Sequence, residues 1–416
     1  MAIYHHTFPN GLTLLAERME HVRSAALNFL VPAGCTQDPP KHLGVASVLS
    51  DLITRGAGER DSRELSLALD NLGLDRDESV GGIHLRFWGA TLARNLMPAL
   101  EIYADIIRRP HLPADEIEAV RALALQDLQG LEDEPRQKVL IELRRRHYPS
   151  PLDQDRRGTV AGIESLNAKI IRDHYRRLFT PRGTILSVAG NVEWKELKDA
   201  VGRLFGDWEG PAPPPLKVGK QPAKRAHLSK ETQQTQIAIA YPSVPIGHPD
   251  YYAALGAVNV LSGGMSARLF SEVREKRGLC YAVWATYTTF KDRASVLCYA
   301  GTTNERAQET LDVTLGELQS LQEGIDADEV ERVQAGLKSS LIMQEESTSA
   351  RAGTLASDWY YLGRVRPPEE IQAAVNGLTP RKITGHVKRH PPHDFTIVTL
   401  GPKALTLKRE KVVSGA

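Results

Sequence analysis

Cysteine is nearly absent. The 416 residues contain three, Cys35, Cys280 and Cys298, and no two stand at C-x-x-C spacing. That is too few for a disulfide framework, and it excludes a site built on paired thiolates. A reducing, cytoplasmic setting follows as the default, with a periplasmic one open if a signal peptide has been removed. The stretch Met1-Ala-Ile-Tyr-His-His-Thr-Phe-Pro-Asn10 has no basic segment leading into an apolar one, so it does not read as a signal peptide. Long hydrophobic runs are missing too. No uncharged apolar segment approaches the roughly 18–20 residues of a membrane helix, so no membrane partner is expected. Charge of one sign is also lacking. Lys and Arg total 52 against 51 Asp and Glu, a net charge of +1. A global field for nucleic acid or for a basic partner is thereby excluded. What remains is an ordinary globular composition, 41% hydrophobic and 25% charged. At about 100–200 residues per domain, the length calls for two to four domains.

Proline marks the division. Four prolines fall between Pro211 and Pro215, and Pro222 follows. Without an N–H and with φ fixed, this segment cannot form a regular helix or a central strand. We read 209–223 as an extended linker between an N-terminal half, 1–208, and a C-terminal half, 224–416. The halves share a pattern. A strand at Ser24–Pro32 precedes a loop and the apolar helix Gly44–Ile53. A strand at Thr235–Pro242 precedes a loop and the helix Tyr251–Ser262. Short strands and helices alternate through the rest, including a long helical stretch over Pro113–Arg145 with a break at Asp133-Glu-Pro135. Gly278 closes a helix over Ala267–Lys276. The fold class is α+β: two similar halves, each an antiparallel-rich sheet with helices packed on one side.

The most informative stretch is Leu261-Ser-Gly-Gly-Met-Ser-Ala-Arg-Leu-Phe-Ser-Glu-Val-Arg-Glu-Lys-Arg-Gly-Leu-Cys-Tyr281. Other stretches accompany it in order: Phe8-Pro-Asn-Gly-Leu12, Pro32-Ala-Gly-Cys-Thr-Gln-Asp38 with Leu43-Gly-Val-Ala46, Leu131-Glu-Asp-Glu-Pro135, and Val188-Ala-Gly-Asn191. Together they resemble the M16 (insulinase/pitrilysin-type) metallopeptidases, in particular the shorter two-half members, over almost the whole chain. The resemblance implies the LuxS/MPP-like metallohydrolase fold. It also implies a zinc site on an inverted H-x-x-E-H motif, where two His four apart share one helical face and the Glu beside them activates water. A carboxylate farther along the chain supplies the third protein ligand.

This sequence departs from that pattern. In the corresponding helix the two His positions hold Ser47 and Asp51, the base position holds Ser50, and the downstream ligand falls at Gln126 or Asp127. Serine is a poor neutral ligand and a poor base, and two carboxylates alone make a weak zinc site. Ser47, Ser50 and Asp51 therefore read as a solvated helix face. No H-x-x-E-H or H-E-x-x-H occurs elsewhere. The family's second device is retained. Arg274 and Tyr281 stand seven residues apart, as do the Arg and Tyr that the family uses to hold substrate carbonyls and the oxyanion. The resemblance thus implies a noncatalytic subunit with no cofactor of its own. Zinc would sit in a partner M16 subunit, the two forming a heterodimer around an unfolded peptide. The chain would be inactive alone and would form a homodimer or a monomer when isolated. The competing readings are a non-enzymatic assembly or scaffold subunit and a self-sufficient hydrolase using Asp51 and Asp127 with another metal.

Weaker signals read as structure. His386-Val-Lys-Arg-His390-Pro-Pro-His393 has metal-ligand spacing but no base, and we read it as a surface helix. Gly263-Gly264 is a turn rather than a phosphate loop. Arg144-Arg-Arg-His-Tyr148 and Arg176-Arg177 are helix-end charges, and Cys280 is a buried structural thiol.

Overall fold

A computed structural model of the chain describes residues 2–221 and 223–406, so Pro222 of the expected linker lies outside the described residues. The first half runs β1 (Ala2–Thr7), β2 (Thr13–Arg18), β3 (Ser24–Val31), α1 (Val45–Leu52), α2 (Ser62–Asn71), β4 (Asp75–Val80), β5 (Leu85–Leu92), α3 (Leu96–Arg108), α4 (Ile117–Gly130), α5 (Pro135–His147), α6 (Val160–Glu164), α7 (Ala168–Leu178), β6 (Ile185–Gly190) and α8 (Trp194–Phe205). The second runs β7 (Arg225–Ser229), β8 (Gln234–Ser243), α9 (Tyr251–Ser262), a π-helical turn over Phe270–Glu275, β9 (Cys280–Thr289), β10 (Ala294–Thr303), α10 (Ala307–Ser320), α11 (Ala327–Glu345), α12 (Thr348–Leu362), α13 (Pro368–Asn376), α14 (Pro380–Arg389) and β11 (Thr396–Gly401). Among the described residues, no helix is long and apolar enough to cross a membrane.

The duplication hinted at by the sequence is explicit in the topology. The first sheet has the order β1-β2-β6-β3-β5-β4 and the second β7-β11-β8-β10-β9. In each, one pair is parallel, β2 with β6 and β7 with β11. The remaining pairs named in those orders are antiparallel. Strand for strand, β2, β6, β3, β5 and β4 correspond to β7, β11, β8, β10 and β9, with β1 an added edge. The chain is α+β and built of two homologous halves.

The compact units do not follow the linear halves. One comprises Met1–Asp133, Pro149–Lys220 and Ser339–Pro368; the other comprises Glu134–Tyr148, Gln221–Lys338 and the chain from Glu369. The linear division at 208 and 224 is thus crossed by α5 and by the segment carrying α12. The cause on the α5 side is Pro135, which occupies the first turn of α5 and cannot continue the helix before it. The long helical stretch therefore breaks where the sequence placed the break, and its two parts serve different sheets.

Each sheet buries both faces. On β3, Ala25, Leu27, Phe29 and Val31 join the larger core with residues of α1, α3 and α8. Ala26, on the opposite face, joins Leu15, Met19, Ile185 and Ala189 under Ala352, Leu355 and Ala356 of α12. In the second unit, Ile237, Ile239 and Tyr241 of β8 face α9, α10, α11 and α14. Ala238 and Ala240 face Val139 and Leu143 of α5. The expectation of helices on one side holds for most of each half; the helix exchanged from the other half covers the second side.

The exchanged helices are fastened by buried polar contacts. Arg351 donates to Glu17 Oε2 through Nε and Nη2 at 2.9 and 2.6 Å, and Ser187 Oγ donates to Ala352 O at 2.7 Å. In the second unit, His147 bridges Thr396 Oγ1 and Ser295 Oγ at 2.9 and 2.7 Å, and the Arg136 guanidinium lies over Trp284 and Tyr299. The linker has no regular structure among its described residues. It is held by Gln37 Nε2 donating to Pro214 O and by Gly219 N–H donating to Ser150 O.

Candidate functional site

In the first unit the informative surface is one face of α1. Gly44 caps this helix in a left-handed conformation, φ 101°, with no side-chain cap of its own. The N–H groups of Gly44 and Ala46, left without intrahelical partners, are instead satisfied by Asp38 Oδ2 and Oδ1 in buried hydrogen bonds of 2.7 and 3.2 Å. Burial pushes the Asp38 carboxyl up to about 7, against the pull of those two N–H groups and of Arg177. Val45, Ala46, Val48, Leu49 and Leu52 are buried. That leaves Ser47 and Ser50 half-buried and Asp51 exposed on one face, at i, i+3 and i+4.

The opposing helix, α4, packs against α1 and carries Gln126 and Asp127, both exposed. Asp127 is already compensated. Arg157 Nε donates to its Oδ2 at 2.9 Å, and the same guanidinium reaches Asp155 Oδ1 at 3.4 Å. Glu78, on the edge strand β4, has its pKa raised by burial, with the negative charge of Asp51 adding to the rise. This face therefore offers hydroxyls and carboxylates, one of which holds an arginine. It carries no imidazole at the motif positions, and the donor set does not fit zinc. Among the described residues, the one trio of His, Cys, Asp or Glu close enough to hold a metal ion is His248, Asp250 and His390, in the second unit.

Arg274 and Tyr281 flank the junction of the π-helical turn with β9. The extra residue in the turn shows in the bond from Lys276 N–H to Ser271 O, 2.9 Å long. Gly278, at φ 59°, ends the turn, and Leu279 N–H returns to Val273 O at 3.0 Å. Gly278 thus does what the sequence assigned to it. Val273 and Leu279 are buried and anchor the junction, while Arg274 is exposed. The Arg274 guanidinium lies 4.7 Å from the centroid of Phe270. Its neighbours are differently placed. Arg268 is paired with Glu329 at 2.7 Å, and Lys276 and Arg277 share Glu272 at 2.5 and 2.7 Å. Among the described residues, no acidic side chain pairs with Arg274.

Tyr281 owes its position to a feature the sequence did not reveal. The β10–β9 register steps from Gly301↔Ala282 to Thr302↔Cys280, so Tyr281 has no partner across the ladder. It is the extra residue of a β-bulge, a device that re-aims a side chain. Tyr281 is 71% exposed, whereas Cys280 before it is buried, its thiol pushed up to about 11 by that burial despite the charge of Arg274. Cys280 is a structural thiol, as read from the sequence.

The histidine run is corrected by the structure. His386 is only 4% exposed and faces inward with Ile383 and Val387, so α14 is not a surface helix along this face. The signals that sequence reasoning missed are the bulge at Tyr281, Arg157 on Asp127, and the approach of His248 and Asp250 to the α14 histidines. Each depends on pairing between distant segments, which one-dimensional spacing does not encode.

Comparison with known proteins places these features in context. Residues 13–155 match the family described as Insulinase (Peptidase family M16), and residues 165–337 match the one described as Peptidase M16 inactive domain. An uncharacterized zinc protease of Bacillus subtilis, YmxG, is 25% identical over 405 residues, covering 96% of this chain and 98% of that protein. An uncharacterized zinc protease of Streptomyces coelicolor is 26% identical over 389 residues, covering 91% and 84%. Among solved structures, a peptidase M16 inactive domain from Pseudomonas fluorescens superposes with a TM-score of 0.89 at 20% identity, covering 98% of this chain and 99% of that one. A protease from Helicobacter pylori superposes with a TM-score of 0.88 at 20% identity, covering 96% and 99%.

Proposed function

The chain belongs to the M16 peptidase family, and from that premise we propose that it is the noncatalytic subunit of a heterodimeric zinc peptidase. A partner with an intact H-x-x-E-H motif supplies zinc and general base. This chain binds the unfolded peptide and orients it. Arg274 and Tyr281 donate hydrogen bonds to the peptide carbonyls and to the oxyanion that develops at the scissile carbon. The relatives named zinc proteases support the reaction class. The departure of Ser47, Ser50 and Asp51 from the zinc motif supports the division of labour.

One observation carries the reading. In a run of cations whose other members are paired with carboxylates, Arg274 has an aromatic face beneath it and, among the described residues, no acid paired with it. A surface arginine with only a structural role gains little from that arrangement, about 0.5–1 kcal/mol for an exposed stack on an aromatic ring. An arginine kept for a substrate carbonyl needs its donors free. The three cysteines, all buried and none in a disulfide, fit work in the cytoplasm.

The test pairs the purified chain with an H-x-x-E-H homologue encoded beside it and follows a quenched peptide. Cleavage requires both subunits, and the lone chain has neither peptidase activity nor zinc bound through α1. Activity in the lone chain, or zinc whose binding depends on Ser47, Asp51 or Asp127, would contradict the proposal. A mixture that forms no complex and cleaves nothing would favour a scaffold subunit instead.

A further inference from the structure

We propose that His248, Asp250 and His390, with His386 as a fourth ligand, form a zinc site in the second unit, separate from the peptidase chemistry. His386 on α14 and His390, the residue that caps its C-terminus, lie four residues apart, and one carboxylate oxygen is the focus of both. His386 Nδ1 is 3.5 Å from Asp250 Oδ2, and His390 Nε2 is 3.7 Å from the same atom. His248 comes from the loop before α9, with its ring 5.5 Å from that of His390. One ligand atom each from His248, Asp250 and His390 lie within 4.8 Å of one another. Ligands about 2 Å from a tetrahedral zinc stand roughly 3.3 Å apart, so closure needs shifts of about 1 Å. The residues that must move are free to do so: His390 ends α14 in a non-helical conformation with its side chain 37% exposed, and His248 lies in a turn.

The independent observation is His386. Its side chain is 95% buried, and its Nδ1 has no hydrogen-bond partner. A buried ring nitrogen left unsatisfied beside a carboxylate is costly unless something bridges the two. A divalent cation does so. A neutral imidazole offers a ring lone pair to a cation. Asp250 supplies the one carboxylate of the cluster, already facing the Arg389 guanidinium. Imidazoles with one carboxylate suit zinc better than calcium or magnesium.

Two contacts must adjust. Asp250 N–H donates to His248 Nδ1 at 3.0 Å, and that bond is exchanged for the metal. Arg389 donates to Asp250 Oδ2 through Nε and Nη2 at 3.2 and 2.7 Å, but its side chain is 58% exposed and can stay on the carboxylate as an outer partner or leave it. The bound ion would tie the loop before α9 to the end of α14.

The experiment titrates the tag-free, chelator-treated full chain with cobalt(II) and then displaces it with zinc. One equivalent binds, with the visible absorption of tetrahedral cobalt, and zinc abolishes that band. His390→Ala and His248→Ala each lower the affinity at least about 100-fold and lose the band, while His393→Ala and Ser47→Ala leave both unchanged. A metal-free melt of each variant separates loss of the site from loss of the fold. Added zinc raises the melting temperature of the parent chain but not that of His390→Ala. No cobalt band, or binding indifferent to His248 and His390, would overturn the proposal. Neither outcome bears on Arg274, so the function proposed above is tested separately.

Discussion

Removing a guanidinium from water is costly, and Arg351 does it inside the first unit with a single partner. Arg351 is 1% exposed and Glu17 is fully buried, and Glu17 Oε1 has no hydrogen bond of its own. Breaking such a pair strands a charge, whereas replacing both members by apolar groups need not. Arg351→Ala should therefore destabilise the chain by about 3–5 kcal/mol in urea unfolding. Arg351→Met combined with Glu17→Leu should recover most of that loss. A single variant as stable as the parent would show that the pair is not what fastens α12. Arg274 makes the opposite choice. It is exposed, stacked on Phe270 and, among the described residues, paired with no acid. Arg274→Ala should leave the fold unaltered, with a melting temperature within about a degree or two of the parent, as befits a surface change. A large drop would mark it as a structural residue.

The element that matters most to the first unit's site face is the start of α1. Gly44 and Gly158 meet there backbone to backbone, both with positive φ, and a Cβ on Gly158 would overlap Leu43 O and the Gly44 backbone. Gly158→Ala is expected to cost about 2–3 kcal/mol and to loosen the helix, seen as faster amide exchange over Val45–Leu52. Unchanged exchange would mean that Asp38 alone holds the helix start. Much of this architecture is legible in sequence. The apolar spacing of α1, the glycine after the π-helical turn, the proline at the start of α5 and the strands rich in Ala, Ile and Val each announce themselves. The edge strand β4 does not, because Asp75-Arg-Asp-Glu-Ser-Val80 carries the charges that protect an exposed edge and so hides its own period. The exchange of α5 and α12 is equally hidden. An apolar helical face says that it will be buried, not against which sheet. Of the candidate site, the Arg274–Tyr281 spacing and the missing zinc motif were visible. The bulge that exposes Tyr281 was not, since it arises from a register step against β10.

Across the whole molecule, four histidines set the acid limit, three of them buried and His84 half-buried. Burial lowers His84, His147 and His386 to about 4 and His174 to about 3. Their folded values lie below the unfolded one, so the unfolded chain binds more protons between about pH 6.5 and 4. Stability is then fully present above pH 6.5 and is lost as pH falls through that window, by about 1.4 kcal/mol per pH unit for each fully titrating group. Asp38, raised to about 7, acts in the opposite sense, gaining stability as pH falls from 7, and the carboxyls of Glu78 and Glu317, also raised by burial, act with it at lower pH; the histidines outnumber them. The urea midpoint of the metal-free chain should drop from about pH 6 to pH 4.5, and a flat profile would contradict the burial of these rings. The central claim is that this chain completes an active site it cannot form alone. Its most direct test is the peptide turnover of the reconstituted pair carrying Arg274→Ala or Tyr281→Phe in this subunit, with complex formation checked in parallel. The account predicts an intact complex and a fall in kcat of about 100- to 1,000-fold for Arg274→Ala, with a smaller fall for Tyr281→Phe. Turnover at the parent rate from an intact complex of either variant would contradict it.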